Sequence, residues 1–120
     1  MTKMSANLNT MTLNALRELG YTAQVVERYD HYTRRRYDLF GCIDMIAIKP
    51  GVVLAVQSTG TDFAGHMKKL TGPRRDQVKA WLETGQPFLL IGWRKLAGKI
   101  APRIHYMQLG DLDHPGTPTL

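Results

Sequence analysis

The amino-acid sequence predicts an α/β fold, a central mixed β-sheet flanked by helices in the element order α-β-β-β-α-β-β. Three observations carry this reading. A leucine stripe closed by Gly20 marks an N-terminal helix. Two apolar, β-rich runs, 39–48 and 52–59, are separated only by a short turn at Pro50-Gly51. A helical stretch then divides the second run from a third at 87–93, and a helical crossover between apolar strands is the usual route to a buried parallel pair.

Taken in order, Leu8, Leu13, Leu16 and Leu19 fall roughly on one helical stripe, which places the first helix over residues 6–19. Gly20 stands where a C-cap glycine belongs, and Thr10 or Ser5 is the expected N-cap. Residues 21–29, with Ala23, Val25 and Val26, read as a strand that leads into a charged loop over 30–38. Residues 39–48 read as a nearly all-apolar strand interrupted only by Asp44. After the turn, 52–59 is the second member of an antiparallel hairpin. Thr61 or Asp62 caps the next helix, whose inner face is Phe63, Ala64, Met67 and Leu70. Gly72-Pro73 breaks it, and Pro73 opens a further helix with Val78, Trp81 and Leu82 inward, ending at Gly85. A turn at 95–99 and an alternating edge strand at 103–109 complete a single domain over 1–110. Residues 111–120, rich in Pro, Gly and Asp, are expected to form a loose tail.

Composition narrows the function. The chain has 120 residues, enough for one core, with 43% hydrophobic and 22% charged residues in an ordinary globular balance. No apolar run has the length of a membrane span, and the polar start lacks a secretory h-region. One cysteine, Cys42, excludes an internal disulfide and a cysteine-based zinc site, which fits a reducing cytoplasm. The net charge of +6 favours polyanionic partners, of which nucleic acid is the commonest.

The basic residues form clusters: Arg34-Arg35-Arg36, Lys68-Lys69, Arg74-Arg75 and Arg94-Lys95. Tyr29, Tyr32, Tyr37 and Trp93 lie among or beside them, a mixture suited to gripping phosphates and stacking on bases. Solvated basic faces are the plain alternative. That alternative is weakest for Arg74-Arg75, where cations in a first helical turn oppose the dipole and an external anion would relieve the conflict. Trp93, closing an apolar strand, reads as core, and so does Cys42. His31, His66, His105 and His114 show no ligand spacing.

Asp44 is the most informative residue, because a carboxylate within a buried strand needs a partner or a cation. A carboxylate at a splayed strand end, paired with an arginine, is the alternative. On the neighbouring strand Gln57 and Thr59 point to one face, so all three are expected to meet at one side of the sheet.

An aspartate on one strand, a tight turn, a strand ending in a Q-x-T pair (Gln57-Ser58-Thr59) and then a helix resembles the core of the PD-(D/E)XK nuclease superfamily. Asp38-Leu39-Phe40-Gly41, Asp44 and Gly92-Trp93-Arg94-Lys95 add a resemblance to small phage and bacterial proteins of Holliday-junction-resolvase type. The resemblance implies a restriction-endonuclease-like core and a Mg²⁺- or Mn²⁺-dependent DNA endonuclease. Asp44 takes the place of the metal-binding aspartate, Gln57 that of the second acid and Thr59 that of the lysine. The Ser58 carbonyl lies between the last two. A homodimer is implied by resemblance alone. Gln57 brings no negative charge and Thr59 no ammonium. Glu27, or less readily Glu18, is expected to restore the second carboxylate, and Lys69 the cation. Asp38 is a secondary metal candidate. The alternative is a decayed nuclease fold that serves as a nucleic-acid-binding or assembly module.

Overall fold

A computed structural model of the chain describes residues 4–113, and the side chains of 8–113. It is an α/β structure with a mixed five-stranded sheet between helices. The elements are α1 (Met4–Glu18), β1 (Thr22–Val25), β2 (Arg28–Asp30), β3 (Arg35–Tyr37), β4 (Met45–Lys49) and β5 (Val52–Thr59). They continue with α2 (Phe63–Thr71), α3 (Arg75–Glu83), β6 (Phe88–Leu96), β7 (Lys99–Tyr106) and a closing 3-10 helix, Leu109–Asp113. The sheet order is β1-β4-β5-β6-β7, while β2 and β3 form a separate two-stranded ribbon.

The expected hairpin and crossover are both present. β4 and β5 pair antiparallel across the Pro50-Gly51 turn, and β5 and β6 pair parallel through the two helices between them. Alternation along β5 and β6 divides the core into two layers. Leu54, Val56, Leu89, Ile91 and Trp93 pack on one face with Leu16 of α1. Ala55, Phe88 and Leu90 pack on the other with Phe63, Met67 and Leu70 of α2, Val78 of α3 and Leu112. α1 is fastened to its face by a buried hydrogen bond in which Trp93 Nε1 donates to Thr12 Oγ1 at 2.9 Å. Trp93 is therefore a core residue.

Several boundaries differ from the sequence reading. Residues 39–44 are not strand: Phe40 and Gly41 take positive φ of 54° and 73°, and a Leu39–Ile43 bridge closes the resulting turn. The Arg74 guanidinium packs against this glycine, 2.8 Å from where a Cβ would stand, so a side chain at 41 would also have to displace that arginine. The 30–38 loop is largely ribbon, and Tyr29 pairs with Arg36 rather than extending β1. α1 starts at Met4, so Thr10 lies inside it, and the Ser5 side chain and His114 lie outside what is described. Asp62 caps α2 by accepting from Gly65 N. Pro73 sits in the turn before α3, whose cap position is Arg74. The turn expected at 95–99 narrows to Ala97-Gly98, both at positive φ, so β7 begins earlier than expected. Of residues 111–113, expected to be loose, Asp111 and Leu112 are buried, Leu112 in the core.

Candidate functional site

The antiparallel registers of β1 with β4 and of β4 with β5 bring three chain segments to one end of the sheet. These are the exit of β1, the entry to β4 and the C-terminal end of β5. Asp44 immediately precedes β4 but is already held in the ladder. Its backbone N–H donates to Val56 O, and its carbonyl accepts from Val26 and Glu27. Its side chain is buried, at 6% exposure, and its Oδ2 accepts from Gln57 Nε2 at 2.6 Å, Ser58 N at 2.9 Å and Ser58 Oγ at 3.4 Å.

Glu27 and Asp38 converge on the same point. One carboxylate oxygen from each of Glu27, Asp38 and Asp44 lies within 4.8 Å of the other two. Asn9 of α1 donates to Glu27 Oε1 at 3.0 Å, and Arg36 of the ribbon approaches the same oxygen at 3.7 Å. Lys69 Nζ, from the last turn of α2, donates to Gln57 Oε1 at 3.0 Å and to Asp38 Oδ2 at 3.3 Å. The amide of Gln57 is therefore a bridge, with its nitrogen turned to Asp44 and its oxygen to Lys69.

The electrostatics follow from this crowding. Burial first, then the neighbouring Asp38 charge, raises the Asp44 carboxyl to about 7, against the pull of the Ser58 N–H and the Gln57 amide. Lys69 beside Asp38 and Arg36 beside Glu27 offset part of the negative charge gathered here. The donors are all oxygens, the set a hard divalent cation selects. Cys42, under the turn, is inert packing, and burial pushes its thiol up to about 11.

The expected residues thus separate. Asp44, Gln57, Ser58, Glu27 and Lys69 meet, and Asp38 joins them as a full member. Thr59 stands one pleat further on, paired with Gly92, and no hydrogen bond among the described residues joins it to the carboxylates. Glu18 is exposed at the end of α1 and outside the cluster. His66 turns its Nδ1 back to Asp62 O at 2.9 Å. Arg75 does not face outward as a free cation, because its Nε donates to Leu112 O at 3.1 Å and ties the 3-10 helix to α3. Arg34, Arg35, Arg36, Lys68, Arg94 and Lys95 are exposed, and Arg74 is half-buried against Gly41. Asn9 was not anticipated. The signal for it was present, since Asn9 and Thr12 are polar residues on the helical face that buries Leu16.

No family model matches the chain, and none of the curated proteins or solved structures compared with it matches either. Among the described residues no helix is long and apolar enough to cross a membrane.

Proposed function

We propose that the protein is a metal-dependent endonuclease with a restriction-endonuclease-like core that hydrolyses phosphodiester bonds in DNA. The observation that carries this is the convergence of Glu27, Asp38 and Asp44 at the end of β5, with Lys69 held beside them. Such a set fits Mg²⁺ or Mn²⁺, which when bound would lower the pKa of a water and neutralise charge developing on the phosphate. The residues of the chain divide the remaining work. Glu27, Asp38 and Asp44 supply the negative charge that Gln57 lacks. Gln57 orients Asp44 and Lys69 through its two amide ends, and the Ser58 N–H fixes the Asp44 rotamer. Lys69 provides the ammonium that Thr59 lacks, reaching the strand from α2. Arg34, Arg35, Lys68, Arg94 and Lys95 hold the phosphate backbone.

The test is cleavage of fluorescent single-stranded, duplex and four-way-junction DNA with Mn²⁺, comparing the native protein with Asp44→Ala. Native protein should cut, and the variant should lose cutting while binding DNA as well or better, because a negative charge has left the site. Cutting that survives in the variant would remove the assignment. A second reading is favoured by the Gln57 amide, which already satisfies Asp44 without a cation: a binding module on a decayed nuclease core. It predicts salt-sensitive DNA retention and no metal-dependent cutting by either protein.

A further inference from the structure

Two ribbons leave the sheet at the end that carries the carboxylates. The first is β2–β3, which continues from β1 where β1 meets the entry to β4. It makes no strand pairing with the main sheet, and both of its strands are largely exposed. Tyr32 at its tip is 100% exposed. The second is the outer part of β6–β7. The register of β6 with β5 ends at Thr59–Gly92, whereas its register with β7 runs on through Trp93–Pro102 to Leu96–Lys99. Half of the chain's 16 Lys and Arg residues belong to these ribbons. Arg28, Arg34, Arg35 and Arg36 lie on the first, Arg94, Lys95 and Lys99 on the second, and Arg103 at the root of the second, opposite Gly92. The only acid on either ribbon is Asp30, whose carboxylate accepts from Tyr32 N within the tip.

An isolated two-stranded ribbon is marginal in water, and among the described residues both of its strands are left largely exposed. Two of its three tyrosines are engaged internally, Arg28 lying over Tyr37 at 5.2 Å and Tyr29 packing against His31 at 5.0 Å, while Tyr32 at the tip is the fully exposed ring. One free ring is too few for a base-stacking platform along a single strand, so the guanidinium groups are the chemistry the ribbon chiefly presents. A two-stranded ribbon fits the ~12 Å major groove of B-form DNA. In sheet order the ribbons stand three to four strand positions apart, about 14–19 Å at ordinary strand spacing, with the carboxylates between them.

We propose that the two ribbons form a clamp for double-stranded DNA, with β2–β3 entering the major groove and β6–β7 holding the backbone on the other side of the carboxylates. The proposal rests on the nuclease reading only for the position of the scissile phosphate. Arg36 links the two, because it reaches Glu27 from the ribbon, so seating the ribbon on phosphate would withdraw a cation from the carboxylate cluster.

The experiment is fluorescence anisotropy with duplex, single-stranded DNA and duplex RNA, across a salt series, with Ca²⁺ in place of a cleaving metal. The variants are Arg34→Glu with Arg35→Glu, Lys95→Glu with Lys99→Glu, and Lys49→Glu at the opposite end of β4. Native protein should prefer duplex DNA. Each double variant should bind it at least tenfold more weakly, with the slope of log K on log salt reduced by about two, since each lost phosphate contact removes about 0.9. Lys49→Glu should bind as the native protein does. If the isolated ribbon fails to fold after reversal, the β6–β7 pair decides, because that ribbon is continuous with the core sheet. Equal binding of single strands or of duplex RNA, or an unchanged slope in the double variants, would overturn the clamp. Binding as expected without any cutting would sink the nuclease reading alone, and cutting with normal binding by both double variants would sink the clamp alone.

Discussion

Asp44 accepts three hydrogen bonds and still holds its proton to about pH 7, because burial and the Asp38 charge outweigh those bonds. In the unfolded chain the same carboxyl releases its proton near pH 4. Between these values the native state binds more protons than the unfolded state, so the contribution of Asp44 to stability is greatest at low pH and is lost as pH rises through 7. The expected size is on the order of a few kcal/mol. Urea unfolding in EDTA should therefore show the native protein less stable at pH 8 than at pH 5, with Asp44→Asn showing a much flatter dependence. Added Mn²⁺ should restore the native protein at pH 8 by binding the folded state, and do far less for the variant. Equal pH slopes for the two proteins would show that Asp44 is not the shifted group. Asp44 was legible in the sequence as one charge in an apolar run. Its partners were legible only as options, because Glu27, Asp38 and Lys69 are ordinary charged residues until the registers bring them together.

At the scale of elements, α1 matters beyond its leucines. Its inner face carries Asn9, which holds Glu27, and Thr12, which accepts from the Trp93 indole. One helix thus positions a site carboxylate and anchors to the strand that begins the β6–β7 ribbon. Removing the Thr12 hydroxyl leaves a buried N–H without its acceptor, a loss of about 1–3 kcal/mol. Thr12→Val should accordingly lower the urea-derived stability by about 2 kcal/mol, and Thr12→Ser, which keeps the hydroxyl, should lose clearly less. Equal losses would assign the effect to the methyl group and its packing. The elements that sequence pattern located well, β5 above all, are those buried on both faces, where an unbroken apolar run of strand length is what burial on two sides demands. β2 and β3 escaped notice for the opposite reason: Arg-Tyr-Asp and Arg-Arg-Tyr bury nothing, so no period betrays them. The turn at 39–44 was hidden differently. Only Cys42 and Ile43 of its apolar residues enter the core, while Phe40 and Gly41 at positive φ bend a chain that composition alone would leave straight.

Across the whole molecule the same logic carries the packed core past residue 110. A boundary at residue 110 follows a fall in apolar content, yet closure of the core on the α2–α3 face depends on residues beyond it. Leu112 sits at 2% exposure among Val78, Phe88 and Met107. It is held there by Arg75 donating to its carbonyl and by Asp111, whose Oδ2 accepts from Gln108 N and lies 2.8 Å from His105 Nε2. A single apolar residue after a Gly-Asp pair carries no periodicity, so tertiary packing alone reveals it. Leu112→Ala should then lower stability by about 2–4 kcal/mol, the cost of emptying a buried leucine site that cannot fully collapse. Leu109→Ala, three residues earlier and half exposed, should cost under about 1 kcal/mol. Chemical denaturation of both variants decides the matter: two small, equal effects would return the boundary to residue 110. A large loss confined to Leu112 would make the 3-10 helix part of the layer that backs α3, and through Arg75 part of what holds the start of that helix behind the carboxylate turn.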